Sequence, residues 1–156
     1  MRVIYAIRDI GVGEEVTVSY IPLLKSTEER RGRLAQYGFV CQCEACRDDS
    51  GGDKRRKRIA NRLEDLEGKV GRRSENAVVS EKRAENAVEL VGMVEKEGLG
   101  DYLSRAYHLA AVFNEQQGRM DDAEMWARRE LEILSLAEAD SKESLAAKEF
   151  IDKLSN

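Results

Sequence analysis

From residue 53 onward, apolar residues return every three or four positions. Ile59, Leu63, Leu66 and Val70 mark one helical face, and Ala84, Val88, Val91 and Val94 mark a second. Leu103, Tyr107, Ala110 and Phe113 predict a third helix. Ala123, Trp126, Ala127, Leu131 and Leu134 predict a fourth, and Leu145, Phe150, Ile151 and Leu154 a fifth. The breaks carry stop or start signals: Gly71-Arg-Arg-Ser, Gly98, Gly118 and Asp140-Ser141. Five helices with short connections predict an α-hairpin stack. The first 47 residues read differently. Residues 3–7 are β-branched and apolar, and residues 15–20 alternate as Glu-Val-Thr-Val-Ser-Tyr. These predict two short strands around an Asp9-Ile-Gly11-Val-Gly13 turn. The only proline, Pro22, ends the second strand. Ser26-Thr-Glu-Glu29 is a capping-box pattern that should open a helix through Arg30, Arg33 and Leu34, stopping near Tyr37 with Gly38. The expected fold is mainly α: a short β segment with a cysteine loop, then the hairpin stack. The expected division is 1–47, a linker over 48–53 (Asp-Asp-Ser-Gly-Gly-Asp), and a helical region over 54–156.

Composition narrows the function classes. The chain has 156 residues, 42% hydrophobic and 36% charged, enough for a sizeable core with polar helix faces. A net charge of -4 argues against direct nucleic-acid binding. No apolar run approaches the roughly 20 residues of a membrane span, so no membrane partner is expected. The apolar stretch after Met1 is too short for a signal peptide. The basic run Lys54-Arg-Arg-Lys-Arg58 reads either as a nuclear-import or acidic-partner patch or as a solvated face. His108, the only histidine, sits mid-helix and reads as an ordinary helix residue.

All three cysteines lie in one stretch, Phe39-Val-Cys41-Gln-Cys43-Glu-Ala-Cys46. An odd, clustered set fits a reducing compartment, cytoplasm or nucleus, better than a disulfide frame. The C-x-C-x-x-C spacing suits one shared tetrahedral metal, and thiolates favour zinc. A closed structural zinc site takes four ligands, and three are visible. The plain alternative is three unligated thiols in a loop. Tyr20, at the end of the second strand, reads either as a core aromatic or as a hydroxyl that positions a nucleophile. Tyr37 and Phe39 place two more aromatics beside the cysteine loop.

Three motifs, in order, resemble the C-terminal end of a SET domain, the fold of most protein-lysine methyltransferases. Arg8-Asp9-Ile10-x-x-Gly13-Glu14-Glu15-Val16-Thr17-Val18-Ser19-Tyr20 looks like its closing strand pair. Glu29-Arg30-Arg31-x-x-Leu34 looks like the short helix that follows, and Phe39-x-Cys41-x-Cys43-x-x-Cys46 like the post-SET zinc segment. The SET and MYND-like or fungal SET-protein branch fits best. There the SET segment runs into tetratricopeptide-like helices, and Leu109-Ala110, Phe113, Gly118, Ala123 and Trp126-Ala127 resemble one such hairpin.

The resemblance makes the β segment a remnant of a SET domain. It implies a catalytic Tyr20, a Tyr37 walling the lysine channel, and a Phe39 packing near S-adenosylmethionine. It implies Cys41, Cys43 and Cys46 as three of four zinc ligands. The implied substrate is a lysine of a protein, histone or non-histone. The family's cofactor-binding glycine motif and asparagine-histidine motif are absent from this sequence. The expectation is therefore an N-terminally truncated chain, inactive alone, that takes S-adenosylmethionine only with the missing part restored. The alternative is a non-enzymatic helical interaction module with a vestigial SET tail and a peptide partner in its helical region.

Overall fold

The computed structural model describes residues 6, 9–47, 51–74 and 76–155. They form two compact units, Ile10–Arg62 and Leu63–Asn156, the division falling within one long helix. Seven α-helices are present among the described residues: α1 Thr27–Leu34, α2 Glu44–Arg47, α3 Gly52–Glu67, α4 Ala77–Lys96, α5 Leu103–Gln116, α6 Met120–Ala137 and α7 Lys142–Leu154.

The expected β remnant is corrected by the structure. No strand or sheet is present among the described residues. The expected strand at 3–7 lies, Ala6 excepted, outside them. Residues 15–20 carry no regular structure, and both sides of their alternation are exposed. A β pattern becomes a strand only when a neighbour accepts and donates its backbone hydrogen bonds. No neighbour of that kind runs beside 15–20 among the described residues. Only the turn before it forms: Glu14 N donates to Gly11 O (3.1 Å) and Gly11 N to the Glu14 carboxylate (3.0 Å).

In the unit Leu63–Asn156, α5 packs on both α4 and α6, and α6 packs on α7. Short connections make successive helices antiparallel. The contact faces are built from small residues: Ala84 and Ala87 on α4, Ala106, Ala110 and Ala111 on α5, and Ala123 and Ala127 on α6, all buried. They let helix backbones approach closely, while Leu90, Leu109 and Phe113 fill the space between. Trp126, Leu131 and Phe150 close the α5–α6–α7 side around Ala111, Ala127 and Ile151. Tyr107 stacks on Trp126 with ring centroids 5.8 Å apart. Three expected core positions face water: Val70, Val88 and Leu145 are exposed, and Ala87 and Leu90 take the inward face of α4.

Both central hairpins turn on the same device. After α4, Gly98 N donates to Glu95 O and Leu99 N to Val94 O. After α5, Gly118 N donates to Glu115 O and Arg119 N to Asn114 O. These are Schellman closures with a left-handed glycine, φ 62° at Gly98 and 78° at Gly118. A Cβ at Gly118 would meet no atom within 4 Å, so its substitution isolates backbone strain. Gly118→Ala is expected to cost about 1–2 kcal/mol in urea unfolding, the left-handed penalty of an L-residue. An unchanged midpoint would refute this.

His108 on α5 sets a pH dependence. Its Nδ1 lies 3.2 Å from Oε2 of the buried Glu130 on α6. The Glu130 hydrogen bond raises the imidazole above its ordinary value against the opposing effect of burial, and the charges of Glu130 and Glu67 add to the rise. A raised folded value means the contribution is full below the unfolded value of about 6.5 and fades as pH rises through the folded value. The melting-temperature gap between the native chain and His108→Gln should therefore be wider at pH 6 than at pH 8.5. A gap independent of pH would refute the linkage.

Candidate metal centre and aromatic cluster

The site is built from α1 outward. Ser26 caps α1: Glu29 N donates to Ser26 Oγ (3.2 Å) and Ser26 N returns to the Glu29 carboxylate (2.9 Å). The Ser26 backbone N–H, and then its hydroxyl, hold the Glu29 carboxyl below its usual range. Asp53, in the first turn of α3, supplies a second acceptor to the same helix end. Thr27 N lies 2.8 Å from each carboxylate oxygen, and Thr27 Oγ1 donates to Oδ1 at 2.9 Å. These contacts, led by the Thr27 backbone N–H, lower the Asp53 carboxyl against a smaller opposing effect of burial.

At its far end α1 tightens into a 3-10 turn over Ala35–Tyr37, and Gly38 (φ 76°) ends it. The reversal brings Tyr37 and Phe39 to Tyr20. The Tyr20 ring lies 5.3 Å from that of Tyr37 and 6.4 Å, edge to face, from that of Phe39. The three expected aromatic site residues thus form one cluster, 17 and 19 positions apart in sequence from Tyr20. They remain 58%, 50% and 44% exposed respectively, so the cluster is an open wall rather than a closed pocket.

The cysteine loop follows and ends in the one-turn helix α2. Cys46 N and Arg47 N both donate to Cys43 O, at 2.9 and 3.1 Å. The sulfurs of Cys41, Cys43 and Cys46 lie within 4.8 Å of one another. Cys46 is buried, Cys41 half-buried and Cys43 exposed. Zn–S bonds of about 2.3 Å in a tetrahedron require sulfurs roughly 3.8 Å apart. Side-chain adjustments of about 1 Å would close the set, so these three donors fit a metal ion. No histidine, further cysteine or carboxylate joins them among the described residues. The set is electrostatically graded. Burial opposes ionisation of Cys43, but the Cys41 thiol, the Cys46 backbone N–H and other donors outweigh it and hold Cys43 below its usual value. The Cys43 backbone N–H favours the Cys41 thiolate, yet burial and the neighbouring sulfurs hold Cys41 above it.

Sequence reasoning missed the residues that hold this loop in place. The Arg30 side chain, 3% exposed, donates to Ala45 O at 3.0 Å and lies 3.9 Å from Cys46 Sγ. Arg31 donates to Cys46 O at 3.0 Å. One signal was available: Arg30 stands four residues before the buried Leu34, hence on the inward face of α1. Within the run 54–58, Arg56 is buried and donates to Leu23 O at 2.9 Å, so the run is not uniformly a solvated face.

Comparisons with known proteins bear on this arrangement. The chain is 52% identical over 42 residues to human histone-lysine N-methyltransferase SMYD3, covering 26% of this chain and 10% of that protein. It is 50% identical over 48 residues to histone-lysine N-methyltransferase ATXR2 of Arabidopsis thaliana, covering 31% and 10%. A SET domain-containing protein, L678, of Acanthamoeba polyphaga mimivirus shares 49% over 43 residues, covering 27% and 17%. One stretch of this chain is thus similar to part of these SET-domain and lysine-methyltransferase proteins. The three-cysteine cluster fits the post-SET metal motif that accompanies such a stretch. The chain spans between a tenth and a fifth of the length of these relatives. No protein-family model matches it, and no solved structure matches significantly. Among the described residues no helix is long and apolar enough to cross a membrane.

Cobalt reports directly on the thiol set. Reduced chain titrated with Co²⁺ should develop a thiolate-to-metal charge-transfer band saturating at one ion per chain. Cys46→Ser should lose most of its intensity. A spectrum that ignores the Cys46 substitution would refute a shared site.

Proposed function

We propose that this chain carries the C-terminal part of a SET-type protein-lysine methyltransferase site, acting on a lysine of a histone or non-histone protein. The supporting observation is the placement of the Tyr20–Tyr37–Phe39 cluster and the three-thiol set in one compact unit, Ile10–Arg62. The partial identity to lysine methyltransferases supports the same reading. On it, 1–47 is the C-terminal SET and post-SET segment, 48–53 a linker and 54–156 a tetratricopeptide-like region, in a protein of the nucleus or cytoplasm.

S-adenosylmethionine, when bound, supplies the sulfonium methyl. The chain's own residues prepare the acceptor. A channel closed from water disfavours the charged ammonium and so favours the neutral, nucleophilic amine of the target lysine. Tyr20, the catalytic residue, orients that amine through its hydroxyl, and Tyr37 lines the channel that holds the lysine stem in line. The Phe39 ring offers an apolar face for the cofactor. Cys41, Cys43 and Cys46 would hold three positions of a structural zinc, whose role would be to fix the loop beside the aromatics.

The exposure of the three aromatics limits what this chain does alone. A wall half open to water leaves an ammonium solvated, so the site needs further polypeptide to cover it. The chain by itself is therefore inactive. A second reading, a non-enzymatic helical module taking a peptide between its helices, is favoured by the separate apolar core of α4–α7.

The test is a chimera in which this chain's SET-type stretch replaces the matching stretch of SMYD3. Methyl transfer from labelled S-adenosylmethionine should survive, and Tyr20→Phe within the chimera should lower kcat about 100-fold or more. A folded, zinc-loaded chimera without activity would sink the enzyme reading in favour of the helical module. Turnover by the unmodified chain alone would refute the claim of an open wall.

A further inference from the structure

We propose that Arg30 is the positioning residue of the metal centre. Its buried guanidinium fixes the Ala45–Cys46 turn and so determines how tightly the three thiolates hold a divalent ion. This rests on the metal reading of Cys41, Cys43 and Cys46 given above.

The argument starts from the cost of burying a guanidinium. A charge that is 97% removed from solvent is retained only when its donors are satisfied. Arg30 satisfies them on three different pieces of chain. Nη1 donates to Lys25 O at 2.5 Å, ahead of α1, and lies 3.5 Å from Asp53 Oδ1 at the start of α3. Nη2 donates to Thr27 Oγ1 at 2.9 Å and to Ala45 O at 3.0 Å, and approaches Cys46 Sγ at 3.9 Å. The planar fork therefore ties the peptide of Ala45 and the sulfur of Cys46 to the first turn of α1. That turn is itself locked to α3 through Thr27 and Asp53.

Two consequences follow for a bound ion. First, Cys46 is the most buried of the three ligands, and its direction is set by a group that is itself immobilised at four other points. Groups that orient metal ligands from behind typically contribute 10–100-fold in affinity. Second, a divalent ion held by three thiolates carries a net negative charge. A buried cation at 3.9 Å from one sulfur stabilises that state more than the metal-free thiols. Lysine keeps the charge but not the planar fork, so it separates the two contributions.

The experiment is Co²⁺ titration of the reduced full chain, in competition with a chromophoric chelator, with thermal melts on the same samples. Arg30→Met is expected to weaken Co²⁺ about 10–100-fold, and Arg30→Lys to recover part of that loss. Arg33→Gln, at an exposed position on the same helix, should bind like the native chain. Arg30 variants that melt lower yet bind Co²⁺ with native affinity would reduce Arg30 to a purely structural role and overturn the proposal. If Arg30→Met does not fold, Asp53→Asn decides. It keeps the Arg30 side chain but removes its carboxylate partner and loosens the Thr27–Asp53 anchor, and should weaken Co²⁺ by more than about threefold; native affinity there overturns the proposal. Absence of a cobalt band in the native chain would instead fail the metal reading itself, a result distinct from any difference between variants.

Discussion

A guanidinium buried between a capped helix and a cysteine loop is the constraint on which the unit Ile10–Arg62 depends. Burying an unpaired charge costs several kcal/mol, so Arg30 can stay inside only while Lys25 O, Thr27 Oγ1, Ala45 O and Asp53 all remain within reach. The positions of α1, α2 and the start of α3 are therefore not separately adjustable. Displacing any one strands a polar group in the interior. The apolar contribution here is small by comparison: Leu34, Cys46 and Ile59 are its buried apolar side chains. A unit with so little apolar core depends on polar geometry, and a metal ion at its thiols would add the kind of cross-link that small domains use to compensate for a thin core.

The unit Leu63–Asn156 is stabilised in a different way. Its interior is alanine-rich helix packing with Leu90, Leu99, Leu109 and Phe113 as fillers, and its turns close on local backbone hydrogen bonds. Two buried polar side chains there find carbonyl partners nearby, whereas Arg83 Nε is buried without one among the described residues. Asn114 Nδ2 donates to Ala110 O, and Ser144 Oγ to Glu138 O, both at 2.8 Å. Charge pairs such as Arg105–Glu67 and Arg119–Glu81 lie at the surface, where each adds little. The seat of stability here is dispersion and burial, which tolerate a rim of exposed apolar side chains such as Val88 and Leu136.

The chemistry proposed for the aromatic cluster follows from how water is excluded. The Tyr20 ring packs against those of Tyr37 and Phe39, which gives the cluster a defined shape. Their outer faces remain wet, which keeps the local dielectric high. The cysteine loop lies immediately beyond Phe39 in sequence, so anything that orders the thiols also orders the cluster's last ring. A metal at the thiols would therefore act on the aromatic cluster as geometry, through the six residues of chain between Phe39 and Cys46.

What the sequence determined by itself was whatever needs only a few neighbouring residues. Ser26 and Glu29 announced the cap of α1, Gly38 its end, and Ser141 the start of α7, because each acts through hydrogen bonds or a dihedral within one turn. The helices from 53 onward were legible from their 3.6-residue period, and the metal-competent thiols from their spacing. The tertiary structure alone decided the rest, because it depends on partners distant in sequence. Residues 15–20 carry a strand's alternation but find no ladder to join among the described residues, where the pattern stays unrealised. Arg30 and Arg56 look like surface charges in a chain that is 36% charged, yet each is buried by carbonyls more than a helical turn away along the chain. A buried charge leaves at most its register with an apolar face as a local signature, since its energy is set by which acceptors the fold brings to it.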